Sequence, residues 1–197
     1  MKRSMPRNPK SFEHAKYLKR TIHYCITFGI ATGGRLSNGL QGFADSDYAG
    51  DTEDRLSTFG YGFTICNRLV AWTSRKQRSI STSTTEAEYV ALCQAGKQAV
   101  WTRGLLKELG RTNLLEKDFT VPISCYNGAI ALAKDPENHA RTKHINVQFH
   151  YIRQLVAYNY VRVEFSPSTY MLADIFTKPL RKRLFRNCVR ELLHTGR

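Results

Sequence analysis

The sequence predicts an α/β fold with five strands and several helices. Three β-rich runs follow one another closely, as antiparallel strands joined by turns do. A long run with helical periodicity comes next, and helical segments separate two further β-rich runs. With 197 residues, of which 42% are hydrophobic, the chain can bury one sizeable core.

The first three strands are predicted at residues 40–48, 59–66 and 69–74. The second of these runs alternates strongly between apolar and small or polar residues, which indicates a strand with one buried face. Turn-like sequences separate the runs, with Ala49, Gly50 and Asp51 after the first and Asn67 and Arg68 after the second. The short connection between the second and third runs favours an antiparallel pairing.

The longest helix is predicted to begin at residues 83–85 and to end near Gly110. A Ser or Thr at its start can cap the first turn, Glu86 and Glu88 suit the positive end of the helix dipole, and glycine suits its last position. Apolar residues at helical spacing between these ends indicate that the helix packs against the core.

The remaining elements complete the alternation of helices and strands. An apolar run at 119–125 predicts an interior strand, and a second strand is predicted at 160–165. Helices are predicted at 12–26, 128–134, 145–158, 171–177 and 181–193. We expect three regions: a basic arm and connecting remnant over 1–38, the main domain over 39–180, and a basic C-terminal helix over 181–197.

The charge of the chain favours a polyanionic partner. Thirty Lys and Arg against sixteen Asp and Glu give a formal net charge of +14 and a pI near 9.8, which favours nucleic acid. We expect no membrane partner, because no apolar run has the length of a membrane span. The basic start lacks the apolar segment of a signal peptide, so we expect an intracellular protein, cytoplasmic or nuclear. Five well-separated cysteines without a CxxC pair are typical of reduced, buried thiols.

Acidic residues recur where strands or helices end. Asp45 lies within an apolar strand, Glu86 lies at the start of the long helix, and apolar residues frame Asp174. A carboxylate that points inward from such a strand must meet a positive charge, whereas one that points outward needs none. If the three acids converge, their oxygens would hold hard divalent cations.

Six segments together carry a resemblance to a known family. They are residues 42–51 (GFADSDYAGD), 57–61 (STFGY), 72–77 (WTSRKQ), 83–89 (STTEAEY), 139–145 (HARTKHI) and 172–180 (LADIFTKPL). In this order they closely resemble the ribonuclease H domain of Ty1/copia-type retrotransposon Pol polyproteins, and the resemblance extends from about residue 42 to 193. Residues 12–34 resemble the segment that joins reverse transcriptase to ribonuclease H.

The resemblance implies a ribonuclease H-like fold, with a mixed five-stranded sheet flanked by helices. It implies hydrolysis of the RNA strand of an RNA–DNA hybrid with two Mg²⁺ ions, or Mn²⁺ in their place, and the reverse transcriptase portion of Pol as a partner. Asp45, Glu86 and Asp174 would bind the metal, with Glu88 as the alternative to Glu86. Tyr126 stands where the family has its remaining Asp.

Because a neutral phenol is a poor Mg²⁺ ligand, we expect weak or lost cleavage. Asp47 could compensate, since strand alternation places it on the same face as Asp45.

The resemblance also implies contacts to the substrate backbone. The candidate residues are Arg75, Lys76, Ser83, Thr85, Asn127, Arg141, Lys143 and His144. For each basic residue taken alone, a solvated surface position is the competing interpretation, but their clustering favours phosphate contacts. The spacing of His139, His144 and His150 matches no zinc motif.

Two alternatives to an active nuclease stay open at this point. A catalytically dead nucleic-acid-binding module would bind hybrid without turning it over. A fragment co-opted as a host-directed interaction protein would fold stably and bind no hybrid.

Overall fold

The computed structural model describes residues 16–26, 39–51, 53–116, 118, 120–134 and 143–193. Within α3 and α4, defined below, the side chains of residues 132, 134 and 143–149 are not described. The basic arm at the start of the chain therefore lies outside the described residues.

Five strands form one mixed sheet, as predicted. They are β1 (Gln41–Asp47), β2 (Thr58–Ile65), β3 (Arg68–Lys76), β4 (Val121–Cys125) and β5 (Val161–Phe165). The order across the sheet is β3-β2-β1-β4-β5. β1 pairs antiparallel with β2, and β2 with β3, whereas β1–β4 and β4–β5 are parallel. Strand β1 is therefore central, and its two neighbours run in opposite directions.

Helices connect and flank the strands. They are α1 (residues 16–21 of the described part), α2 (Thr84–Glu108), α3 (Asn127–Lys134), α4 (Lys143–Ala157) and α5 (Lys182–Leu193). Short 3₁₀ helices cover Thr112–Leu114, Ser168–Tyr170 and Leu172–Phe176. Two predicted helices differ from this pattern: the helix expected over 12–26 ends at residue 21, and the helix expected over 171–177 is a five-residue 3₁₀ helix.

Helix α2 packs across one face of the sheet. Tyr89 and Leu92 from α2 join Ile123 of β4 and Ile152 of α4 in the main core, and all four are fully buried. Gly96 lets α4 approach closely, since a Cβ atom built there would lie 2.8 Å from Cδ1 of Ile152. The main core thus fixes the long helix against the central strands.

A second apolar cluster covers the opposite face of the sheet. Phe43 of β1, Met171, Ala173 and the α5 residues Cys188 and Leu192 are all buried in it. Since side chains alternate along a strand, Asp45 points to the same face as Phe43, toward the 3₁₀ helix Leu172–Phe176. The second cluster therefore positions that helix beside Asp45.

A buried amide fixes the start of α2 beside β1. The side-chain nitrogen of Gln77 donates to Oγ of Ser46 at 3.2 Å and to the backbone oxygen of Ala87 at 3.0 Å. The Ser81 hydroxyl donates to Oε1 of Gln77 at 2.6 Å. These bonds satisfy a fully buried side chain and determine where the first turn of α2 lies.

The structure buries three of the five cysteines. All five cysteines are free thiols, and Cys93, Cys125 and Cys188 are buried, as expected. Cys25 is exposed and Cys66 is partly exposed, so burial does not extend to these two.

Across the described ranges, no helix is long and apolar enough to cross a bilayer.

Gly60 of β2 lies opposite Asp45 and allows the 3₁₀ helix to touch the sheet. A Cβ atom at Gly60 would lie 2.6 Å from Cβ of Phe176 and 2.9 Å from Cγ2 of Thr177. We expect Gly60→Ala to lower the free energy of unfolding by about 1–3 kcal/mol, because this contact cannot relax without moving the backbone. Urea denaturation measures the change.

Gly104→Ala is the matched control, because a Cβ atom there meets nothing within 4 Å. Alanine in the interior of α2 should raise the free energy of unfolding by about 0.5–1 kcal/mol. A Gly60→Ala variant as stable as the wild type would refute this description of the sheet contact.

Candidate active site

The candidate site lies at the carboxyl ends of β1 and β4. These parallel strands pair Gly42 with Ile123 and Phe43 with Ser124. Extending the register by two residues places Tyr126 next to Asp45. Side chains that follow neighbouring parallel strands meet at one edge of the sheet, and this edge is where ligands bind in many α/β proteins.

Asp45 is the most buried acid of the site, with a side chain that is 1% exposed. The Thr177 hydroxyl donates a hydrogen bond to its Oδ2 atom. The Lys178 ammonium lies 3.5 Å from the same oxygen. The buried charge of Asp45 is thus met by a hydroxyl and a cation from the segment that follows the 3₁₀ helix.

Asp174 lies within that 3₁₀ helix and shares its cation with Asp45. Its Oδ1 atom is 2.9 Å from the Lys178 ammonium and accepts a hydrogen bond from the Tyr126 hydroxyl at 3.2 Å. Burial raises the pKa of Asp174, and the charge of Asp45 raises it further, against the opposing effects of Lys178 and Tyr126. Two acids, a lysine and a phenol are therefore in contact at one point.

Glu88 is the third acid of this group. Burial raises its pKa, the negative charge of Asp45 adds to the effect, and Lys178 opposes it. Its carboxylate accepts a hydrogen bond from the backbone N–H of Ala129 at the start of α3. It also lies against Gly128, where a Cβ atom would be 3.1 Å from Oε2.

Glu86, the acid expected from the sequence, has different partners. Its Oε2 atom accepts hydrogen bonds from the Thr82 backbone N–H at 2.7 Å and from the Thr82 hydroxyl at 2.6 Å. Its own N–H donates to Oγ of Ser83, the N-cap of α2, at 3.1 Å. Glu86 thus takes part in capping the helix.

Tyr126 occupies the position of the expected fourth acid. Burial raises the pKa of its hydroxyl, and the charges of Asp174, Asp45 and Glu88 raise it further. The phenol is therefore neutral near pH 7 and acts as a hydrogen-bond donor to Asp174. Asp47, the acid that could compensate, has its carboxylate against Gly50 in the turn after β1.

The predicted substrate-binding residues lie in different environments. Arg75 and Asn127 are exposed, and Thr85 lies beside Gly128 next to the acids. Ser83 caps α2, and Lys76 pairs with Asp51 and Asp54 of the β1–β2 loop. Arg141 lies outside the described residues, as do the side chains of Lys143 and His144.

Two side chains of the site were not among the candidate residues predicted from the sequence. Thr177 and Lys178 contact Asp45 and Asp174, yet a lysine among thirty basic residues does not stand out. The spacing of Asp174 and Lys178, four residues apart, was the available signal, because such pairs meet on one side of a helical turn.

The donors of the site fit a hard divalent cation in their chemistry, since Asp45, Glu88 and Asp174 all present carboxylate oxygens. Three carboxylates and one ammonium leave two net negative charges when all are ionised. Among the residues that the structure describes, however, no group of three or more His, Cys, Asp or Glu is arranged to hold a metal ion. The Lys178 ammonium stands between two of the acids in this arrangement.

Comparison with known proteins gives relatives in one class of mobile element. The chain is 36% identical over 173 residues to the retrovirus-related Pol polyprotein from transposon TNT 1-94 of Nicotiana tabacum, covering 88% of the chain and 12% of the relative. It is 36% identical over 186 residues to the corresponding polyprotein from transposon RE2 of Arabidopsis thaliana, covering 91% and 12%. The chain therefore spans about one eighth of these relatives.

A shorter match links the chain to a different kind of protein. It is 42% identical over 91 residues to the secreted RxLR effector protein 161 of Plasmopara viticola, covering 45% of the chain and 64% of the relative. No family model matches the chain.

Ribonuclease H domains are among the solved structures that the chain resembles. The N-terminal ribonuclease H domain of Rv2228c from Mycobacterium tuberculosis has a TM-score of 0.49 and 12% identity, covering 78% of this chain and 98% of that one. LC11-RNase H1, solved in complex with an RNA/DNA hybrid, has a TM-score of 0.47 and 14% identity, covering 70% and 93%. The mixed five-stranded sheet agrees with the fold predicted from the sequence.

The raised pKa of Glu88 gives a pH dependence that can be measured. The pKa of Glu88 in the folded chain lies above its ordinary value of 4.5. The folded chain therefore holds this proton more tightly than the unfolded chain does. The free energy of unfolding therefore falls as the pH rises through the raised pKa. We expect Glu88→Gln to remove this contribution, so that its stability relative to the wild type increases with pH.

Urea denaturation in a buffer with a metal chelator, repeated at several pH values from acid to neutral, measures the difference. A difference that is constant with pH, or that falls, would show that Glu88 is not in the electrostatic environment described here.

Proposed function

This chain is homologous over about 90% of its length to copia-type retrotransposon Pol polyproteins, and from this premise we propose that it is their ribonuclease H domain. Its substrate would be an RNA–DNA hybrid and its reaction the hydrolysis of the RNA strand. The observation that carries the proposal is the convergence of Asp45, Glu88 and Asp174 at the carboxyl ends of the parallel strands.

We propose Glu88, and not Glu86, as the acid that α2 contributes to the site. Glu88 interacts electrostatically with Asp45 and Lys178, whereas the carboxylate of Glu86 accepts two hydrogen bonds from Thr82. The helix geometry explains the choice, because residues two positions apart on a helix point in nearly opposite directions. Asp45, Glu88 and Asp174 would then hold Mg²⁺ or Mn²⁺.

A bound divalent ion supplies a water of lowered pKa and a positive charge for the phosphate oxygens of the scissile bond. The residues of this chain have separate tasks around that chemistry. Thr177 holds the carboxylate of Asp45 in place through its hydroxyl. Exposed Arg75 and Asn127 would contact the sugar-phosphate backbone of the hybrid.

Tyr126 limits this activity. It fills the position of an acid with a neutral donor, so the site has one negative charge fewer than the family pattern implies. Binding of hybrid depends on other groups and would survive the substitution. The chain would therefore bind hybrid and cleave it slowly or not at all, and in Pol it would work beside the reverse transcriptase portion.

A second candidate function has one observation in its favour. The 91-residue match to a secreted effector supports the co-opted, host-directed interaction protein considered above. Such a protein would keep the fold without needing the nucleic-acid site. Hybrid binding separates the two candidates, since the ribonuclease H proposal requires it and the interaction proposal does not.

Restoring an acid at position 126 tests the proposed function. We expect Tyr126→Asp to cleave a labelled RNA–DNA hybrid faster than the wild type, by roughly 10²-fold, because one missing charged group at a catalytic site has effects of this order. Single-turnover cleavage assays in Mg²⁺ and in Mn²⁺ measure the rates.

Tyr126→Asn is the matched control, since asparagine has the shape of aspartate without its charge, and it should not restore cleavage. Equal rates in the wild type and Tyr126→Asp would argue against Tyr126 as the cause of impairment. If the wild type and both variants bind no hybrid, the ribonuclease H proposal fails and the interaction protein is favoured.

A further inference from the structure

Lys178 occupies the space between two acids of the site. Its ammonium lies 2.9 Å from Oδ1 of Asp174 and 3.5 Å from Oδ2 of Asp45. The lysine follows Asp174 by four residues, and its backbone N–H donates to the backbone oxygen of Asp174 at 3.2 Å. The same short segment thus carries an acid and the cation that neutralises it.

Burial makes this cation necessary. The side chains of Asp45 and Asp174 are 1% and 11% exposed. Two carboxylates that share one oxygen-lined space repel each other, and burial removes the water that would screen them. Without a positive charge between them, one of the two would have to take up a proton.

We propose that Lys178 is a built-in counter-ion of the Asp45–Asp174 pair that competes with a divalent metal ion for these two carboxylates. The inference rests on the proposed function in one respect, because it assumes that the acids of this site bind such an ion. It goes beyond that function by assigning a competitor for the site within the chain itself.

The arrangement of the acids supports competition. Asp45 and Asp174 both contact the Lys178 ammonium, so a metal ion that binds both carboxylates must displace it. A lysine is a compact charge on a flexible stem, and the Lys178 side chain is 34% exposed. The ammonium can therefore move to solvent while Asp45 and Asp174 stay in place.

Tyr126 contacts both members of the Asp174–Lys178 ion pair. Its hydroxyl donates to the oxygen of Asp174 that Lys178 contacts, and Lys178 lies 5.9 Å from the centre of its ring. An aromatic face at this distance attracts an ammonium. Because Tyr126 is neutral, it adds no negative charge that would favour a divalent ion over the single charge of the ammonium.

The competition has a quantitative consequence. If the ammonium occupies the acid pair in about 90% of molecules, the apparent affinity of the wild type for a metal ion is about tenfold weaker than that of the unoccupied site. Removing the ammonium should therefore tighten metal binding, although it removes a favourable contact from the metal-free fold.

Thermal unfolding of the full chain tests both consequences without a nucleic acid or an activity assay. We expect Lys178→Met to unfold about 5 °C or more below the wild type in a chelator, because a buried pair loses its partner. Addition of Mn²⁺ should restore its stability, with a midpoint concentration about tenfold lower than for the wild type. Lys182→Met, which removes an exposed lysine of α5, is the control for net charge and should leave the midpoint unchanged.

A double variant covers the case in which Lys178→Met does not fold. Lys178→Met with Asp174→Asn removes both charges, so it should recover stability in chelator and lose the response to Mn²⁺. The same Mn²⁺ midpoint for Lys178→Met and the wild type would overturn the proposal. The proposal would also be overturned if the double variant were as unstable as Lys178→Met alone. It would be overturned as well if neither the wild type nor Lys178→Met responded to Mn²⁺.

Failure of this proposal can be distinguished from failure of the proposed function. Failure of hybrid cleavage with a metal response as expected would leave the competition standing. Cleavage by Tyr126→Asp with an unchanged Mn²⁺ midpoint in Lys178→Met would leave the ribonuclease H proposal standing without a built-in competitor.

Discussion

The buried carboxylate of Asp45 is the constraint on which the rest of the site depends. It lies on the central strand, where water cannot solvate it, so the surrounding chain must supply its partners. Thr177 and Lys178 do so, and Gly60 allows their segment to approach the sheet. The absence of a side chain at Gly60 is therefore as important for the site as the charge at Asp45.

The second apolar cluster also helps to position the partners of Asp45. Met171 and Ala173 hold the 3₁₀ helix Leu172–Phe176 against the sheet, and α5 covers it through Cys188 and Leu192. A 3₁₀ helix of five residues has few internal hydrogen bonds. Its position is thus determined by packing, and so is the position of Asp174, which it carries.

The local charge of the site opposes the charge of the molecule. The chain carries a formal net charge of +14, whereas the charge of Asp45 acts on two further acids at this site, Asp174 and Glu88. A positive molecule attracts a polyanion over a long range, and a negative pocket attracts cations locally. Together these fields would suit the proposed hydrolysis, in which a metal ion and a phosphate must meet, and Lys178 supplies an internal cation for the same pocket.

Much of this fold could be predicted because its strands and helices have strong periodicity. The alternation in β2, the apolar run of β4 and the capped start of α2 each indicate one structure. The choice between Glu86 and Glu88 could not be predicted, since both suit a helix start and only the packing of α2 decides which one faces β1. Lys178 was missed because its role depends on a tertiary contact with Asp45, 133 positions earlier in the sequence.

The most direct test of the acid site is anomalous diffraction from crystals of the chain soaked in Mn²⁺. The account predicts a peak within reach of the carboxylates of Asp45, Glu88 and Asp174, with the Lys178 side chain withdrawn from the Asp45–Asp174 pair. A peak held by Glu86, or crystals that bind Mn²⁺ without any peak at Asp45, would contradict it.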